Sequence, residues 1–255
     1  MTEANPALAF VDAHCHIDLF PRPAHIVEQA QSQRIYTIAV TNAPSVFEHT
    51  ARLAVGSKYV RAALGLHPEL AHSHGHELEQ FRRHLLQTRY IGEVGLDYTT
   101  PDKDIRQEQR RILATIAGWV DESGDKVITL HSRRAAADVL DVLKGIRARK
   151  ILHWFSGTNK ELERAIIEGY FFSINGAMMQ SAKGRAVAHQ IPQDRALTET
   201  DGPFVKEGAS PASPLAVKVT ITRLAEMWRV PVEHAKETVL QNFRRVLVRN
   251  SSPAL

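Results

Sequence analysis

Eight short apolar runs, most of them followed by a segment with helical spacing, restrict this chain to very few folds. The runs lie at Leu8–His14, Ile35–Thr41, Val60–Leu66, Tyr90–Leu96, Lys126–His131, Lys150–Trp154, Tyr170–Ile174 and Arg195–Thr200. Strands that alternate with helices imply a parallel sheet. Eight such units in about 250 residues match the size of a (β/α)8 barrel of the TIM type. An open doubly wound sheet is disfavoured, because no G-x-G-x-x-G follows the first run and no P-loop is present. The expectation is an α/β fold with one barrel domain spanning residues 1–255.

Helical segments are expected at Ala24–Gln33, Glu77–Gln87, Ile105–Glu122, Ala135–Lys144, Leu162–Glu168 and Lys183–His189. In the long one, Ile105, Ile112, Leu113, Ile116, Trp119 and Val120 fall near one stripe. Two candidate capping boxes mark helix starts, Ser45 with Glu48 and Thr158 with Glu161. Pro214 and Pro231 open the last two helices, and Ser251–Leu255 is expected to fray.

Composition is that of an ordinary globular chain, 44% hydrophobic and 24% charged. A single cysteine excludes an internal disulfide and suits a cytoplasmic protein. No basic residue precedes the first apolar run, so a signal peptide is not expected, and no apolar stretch is long enough to span a bilayer. The net charge of +4 permits an anionic substrate without demanding one.

The chemistry lies at the ends of the strands. The first run leads into Asp12-Ala13-His14-Cys15-His16-Ile17-Asp18, where alternation puts Asp12, His14 and His16 on one side. The third ends near His67, the fourth carries Glu93, the fifth ends in His131, the sixth in His153, and the eighth in Glu199 and Asp201. A (β/α)8 enzyme builds its active site at that same edge. A lone histidine is more often a core or rim residue, but so many metal-competent groups at one edge are hard to explain as packing. The mixed nitrogen and oxygen set suits Zn, Mn or Fe, and with waters Mg. Six ligands exceed one tetrahedral ion, which points to two divalent ions bridged by a carboxylate, and hence to hydrolysis of a phosphate ester or an amide.

Asp-Ala-His-Cys-His-Ile-Asp (12–18), Gly-Leu-His-Pro (65–68), Gly-Glu-Val-Gly-Leu-Asp-Tyr (92–98), His-Ser-Arg (131–133), His-Trp-Phe-Ser-Gly (153–157) and Glu-Thr-Asp-Gly-Pro (199–203) together resemble the TatD family of metal-dependent nucleases, within the amidohydrolase superfamily. The resemblance covers nearly the whole chain, including Asn242-Phe-Arg-Arg. It implies a divalent-metal deoxyribonuclease, often exonucleolytic, whose partner is DNA, with single-stranded ends plausible as substrate. By motif position it implies that His14, His16, Glu93 and Asp201 hold one ion. Glu93, His131 and His153 would hold the other, with Glu93 bridging. It further implies Asp201 as general base, and His67 and Glu199 as contacts to the scissile phosphate or a transient third ion.

Some positions depart from the family. Trp154 stands where Cys is usual, Arg134 where Asp is usual, and Glu207-Gly-Ala-Ser-Pro-Ala-Ser-Pro214 replaces an Arg-Asn-Glu-Pro type segment. No expected ligand is removed, but substrate choice is affected. The chain also resembles the TatD-like components of Qat-type anti-phage operons, which implies protein partners. A deacylase or amidohydrolase on the same site is the alternative, and a partner-dependent subunit that binds nucleic acid and uses its metals structurally is the non-enzymatic one.

Other residues keep two readings. Arg133 and Arg134 either grip a phosphate or open a helix on the surface, and Ser156-Gly157-Thr158 opens a helix that could bind an anion. Lys103, Arg106, Arg110 and Arg111 either track a nucleic-acid backbone or form a solvated face. Trp154 either stacks on a base or packs. His72, His74 and His76 read as a solvated loop, Cys15 as a core residue, and Asp12 and Asp97 as carboxylates that orient histidines.

Overall fold

The computed structural model describes residues 9–248. Eight parallel strands, β1 (Phe10–Cys15), β2 (Ile35–Ala39), β3 (Val60–Leu64), β4 (Tyr90–Gly95), β5 (Val127–His131), β6 (Arg149–His153), β7 (Phe171–Ile174) and β8 (Ala196–Thr198), pair in sequence order. Around them run α1 (Pro23–Ser32), α2 (Pro44–Leu53), α3 (Ala71–His74), α4 (Leu78–His84), α5 (Lys103–Ser123), α6 (Ala136–Val142), α7 (Asn159–Ile167), α8 (Gly176–Gln180), α9 (Ala182–Gln190), α10 (Val217–Trp228) and α11 (Val232–Leu247). This is the expected (β/α)8 barrel. No described helix is long and apolar enough to cross a membrane.

The strands are buried on both faces, and most of their residues are apolar. Ile38, Leu64, Ile91, Leu130, Leu152 and Phe172 are buried with Phe81 of α4, Val120 of α5, Val139 of α6 and Val239 of α11 in one apolar core. A second cluster, with Ile17, Ile26, Ile35 and Val217, lies under α1 and takes in Cys15, which is fully buried as expected.

The barrel closes irregularly. Among the described residues no regular ladder joins β8 to β1. Instead the Thr198 hydroxyl donates to the Val11 carbonyl at 2.5 Å, Asp201 N–H to the His14 carbonyl at 2.9 Å, and His16 N–H to the Gly202 carbonyl at 2.8 Å. The seam therefore sets Asp201 directly beside His14 and His16.

Some local expectations need correction. The Thr158–Glu161 capping box forms, but the Ser45–Glu48 box does not. Pro44 starts α2 two residues earlier than that box would, at the first helical position that proline favours. Ser45 then lies inside the first turn and donates through its N–H and hydroxyl to the Glu77 carboxylate. The helix expected over Glu77–Gln87 is α4 between two 3-10 turns. His72 to His76 are helical rather than a loop. Residues 206–211 form a two-stranded hairpin, β9 (Lys206–Glu207) with β10 (Ser210–Pro211). Leu8 and Ser251–Leu255 lie outside the described residues.

Candidate metal centre

The C-terminal ends of the strands aim their polar residues into one mouth. β1 delivers His14, with His16 just beyond it, while β5 and β6 end on His131 and His153. Glu93 sits at an irregularity, since the β4–β5 register shifts between Ile91 and Val94. Bulges of this kind re-aim side chains beside active sites. The preceding Gly92 has φ +154, and a Cβ there would lie 2.2 Å from Thr129 Cγ2. Glycine lets β4 approach β5 closely at the level of the site.

Glu93 is the centre of the cluster, and its two oxygens divide the imidazoles. Oε2 faces His16 Nε2 at 3.3 Å and His14 Nε2 at 3.4 Å. Oε1 faces His131 Nδ1 at 2.7 Å, His153 Nε2 at 2.8 Å and His67 Nε2 at 3.5 Å. Asp201 Oδ1 closes the first group, 3.5 Å from His16 and 3.8 Å from His14.

Hydrogen bonds behind these residues fix their orientation. His14 Nδ1 meets the Thr129 hydroxyl at 2.8 Å, which turns Nε2 toward the carboxylates. His131 Nε2 meets Asp97 Oδ2 at 2.7 Å, so Asp97 orients a histidine as expected. Asp12 does something else. Its carboxylate accepts from the N–H and hydroxyl of Thr200, at 2.9 and 2.7 Å, and so anchors the turn that carries Asp201.

Electrostatics follow from this geometry. Burial would raise the Glu93 carboxyl, but His67, His153 and His14, with a hydrogen bond from His131, hold it well below the usual range. Burial likewise opposes ionisation of Asp201, and His16, His153 and His14 outweigh it. Asp97 is lowered against burial by His131 and Thr99. Burial wins at Asp12, which is pushed up to about 8.

The donor set fits divalent metal. Three groups, His14–His16–Asp201, His14–Glu93–His153 and His67–Glu93–His131, each place their donor atoms within 4.8 Å of one another. His14 Nε2 is buried without a hydrogen-bond partner. Such an atom costs roughly 1–3 kcal/mol when nothing engages it, and a cation between it and the carboxylates removes that cost.

The mouth is a cavity of about 540 Å³ lined by His16, His67, Glu93, His131, His153 and Asp201, with Arg133, Ser156, Trp154 and Phe204 toward its rim. Glu199 is absent from that lining. It is fully buried behind His153, accepting from Asn175 Nδ2 at 2.9 Å and Trp154 N–H at 3.2 Å, and from the Ser173 hydroxyl. One of its oxygens lies 3.5 Å from His153 Nδ1. Gly157 lines an adjoining cavity instead of this one.

The helix cations are mostly engaged internally. Arg106 donates to the Tyr98 and Thr100 carbonyls, Arg110 pairs with Asp138 and Arg111 with Glu108. His72, His74 and His76 form no metal-competent group among the described residues. Sequence reasoning missed Thr129, Ser173 and Phe204. The first two carried a signal, because Thr129 precedes His131 and Ser173 precedes Asn175 by two on the same strand face.

A barrel of this topology with buried histidines and carboxylates gathered at its C-terminal mouth places the chain among the metal-dependent hydrolases. A family model described as TatD related DNase matches residues 11–248, and the chain belongs to that family. It is 26% identical over 254 residues to "Uncharacterized metal-dependent hydrolase YcfH" of Escherichia coli K12, covering 92% of this chain and 94% of that one. It is 25% identical over 269 residues to the mouse protein named "Putative deoxyribonuclease TATDN3", covering 96% and 90%. The crystal structure of YjjV, a TatD homolog from E. coli K12, superposes with a TM-score of 0.84 at 26% identity, covering 93% and 97%.

Proposed function

We propose that the chain is a two-ion phosphodiesterase that hydrolyses DNA from single-stranded ends. The observation that carries this reading is the division of the imidazoles between the two oxygens of Glu93. His14, His16, Glu93 and Asp201 would hold one ion, and Glu93, His131 and His153 the other. Mg, Mn or Zn bound there supplies an activated water and neutralises the phosphate's charge. Asp201 takes the proton from the attacking water. His67 faces the scissile phosphate from the cavity wall.

The rim supports a nucleic-acid substrate. Arg133 is exposed on the cavity and pairs with no carboxylate among the described residues, leaving its guanidinium free for a phosphate. Trp154 and Phe204 are exposed large aromatics at the mouth. Stacking on such rings contributes roughly 1–3 kcal/mol per base and suits unpaired strands.

The experiment is cleavage of end-labelled single- and double-stranded DNA by metal-stripped protein with Mg, Mn or Zn restored singly. Laddering that requires metal, at the roughly two ions per chain of a two-metal site, is expected. Hydrolysis of ester or amide substrates with DNA left intact would replace this reading with a carbonyl hydrolase.

Asp97→Asn is expected to lower kcat/KM about 10–100-fold, the usual cost of removing a carboxylate behind a metal-bound histidine. Steady-state kinetics with circular dichroism as a folding control checks this. Unaltered kinetics would show that His131 needs no such anchor.

A further inference from the structure

A second cavity, of about 460 Å³, adjoins the metal-centre mouth, and Ser132 and Ser156 line both. Its walls come from the start of α6, the start of α7 and one side of α9, and its cations are Arg134 and Lys183. Both are exposed, and neither makes an ion pair or side-chain hydrogen bond with any described residue. Arg134 has φ +56, a left-handed backbone uncommon outside glycine. Two consecutive arginines are thereby divided, Arg133 lining the metal-centre cavity and Arg134 the adjoining one.

The start of α7 is not the attraction. Glu161 already caps it, accepting from Thr158 N–H at 2.6 Å and its hydroxyl at 2.8 Å, while its other oxygen accepts from Ala137 N–H at 3.2 Å. What stands unanswered is Ser132. It is 5% exposed, and its hydroxyl has no hydrogen-bond partner among the described residues. An unpartnered hydroxyl that opens onto two cavities, beside two free cations, suits an anion with acceptor oxygens.

We infer that the adjoining cavity is a second phosphate subsite, which holds a neighbouring phosphate of the strand whose scissile phosphate lies at the metal centre. Arg134 and Lys183 supply charge, and the Ser132 hydroxyl donates a hydrogen bond. This rests on the phosphodiesterase reading and narrows it. The preferred substrates are strands with at least two phosphates rather than single-phosphate diesters.

The test compares wild type with the double variant Arg134→Gln/Lys183→Gln. Both side chains are exposed, so folding is not at stake. Binding of a short fluorescein-labelled oligothymidylate to metal-stripped protein is read by anisotropy at several salt concentrations. The variant is expected to bind about tenfold more weakly, with the slope of log K against log salt reduced by about 0.7, the value for one lost single-strand phosphate contact. In metal-loaded protein, the ratio of kcat/KM for the oligonucleotide to that for bis(p-nitrophenyl) phosphate should fall by a similar factor.

Cleavage by wild type with unchanged affinity and slope in the variant would overturn the subsite and keep the phosphodiesterase. Absent cleavage by wild type with the same binding loss would keep an anion subsite and overturn the phosphodiesterase. No measurable binding by metal-stripped wild type at low salt would overturn the subsite.

Discussion

Glu93→Gln is expected to leave a folded barrel that has lost the second of two bound ions and nearly all turnover. Among the described residues Glu93 is the one carboxylate in contact with both sets of imidazoles, through different oxygens. Glutamine removes the negative charge and turns one acceptor into an N–H donor facing imidazole nitrogens. Losing several kcal/mol of transition-state stabilisation from an ion corresponds to about 10³-fold in rate. The substitution lies outside both apolar clusters, so the fold persists. Elemental analysis should show stoichiometry falling from about two toward about one per chain. The gain in stability that wild type shows on adding metal, about 2.7 kcal/mol at a hundredfold excess over Kd, should shrink. A variant that holds both ions and turns over normally would end the bridging role.

Asp201→Asn is the second large effect. Asp201 has φ +49 and donates its backbone N–H to the His14 carbonyl. Asparagine tolerates the left-handed conformation better than most residues, so the turn survives the change. The amide cannot take a proton from water. Turnover at saturating metal is expected to fall about 10²–10⁴-fold, the range for losing a general base. Normal turnover in a well-folded Asp201→Asn protein would require another base.

The barrel was legible because eight apolar runs and their intervening helices leave few alternatives, and its geometry places every strand's last residues at one mouth. Gathering of His14, His16, Glu93, His131, His153 and Asp201 followed from that alone. Alternation could not show which side chain faces substrate and which supports a neighbour. Glu199 directly follows β8 yet lies behind His153. Asp12 shares a strand face with His14 yet grips the Thr200 turn. Those outcomes depend on loop paths after β8. Ser45 failed as a cap because Pro44, one residue earlier, governs the helix start.

The seam between the first and last strands has a consequence for when this molecule can act. The Thr198–Val11 contact joins residues 187 apart, and the Asp201–His14 bond closes at the same place. During synthesis the chain emerges from its N-terminal end, so His14 and His16 wait for the turn after β8 before their group with Asp201 exists. A partly made chain carries ligands but no complete cluster, and a terminated fragment ending before β8 carries no Asp201. On the proposed reading, a chain that stops short of β8 would therefore lack the group that takes the proton from water.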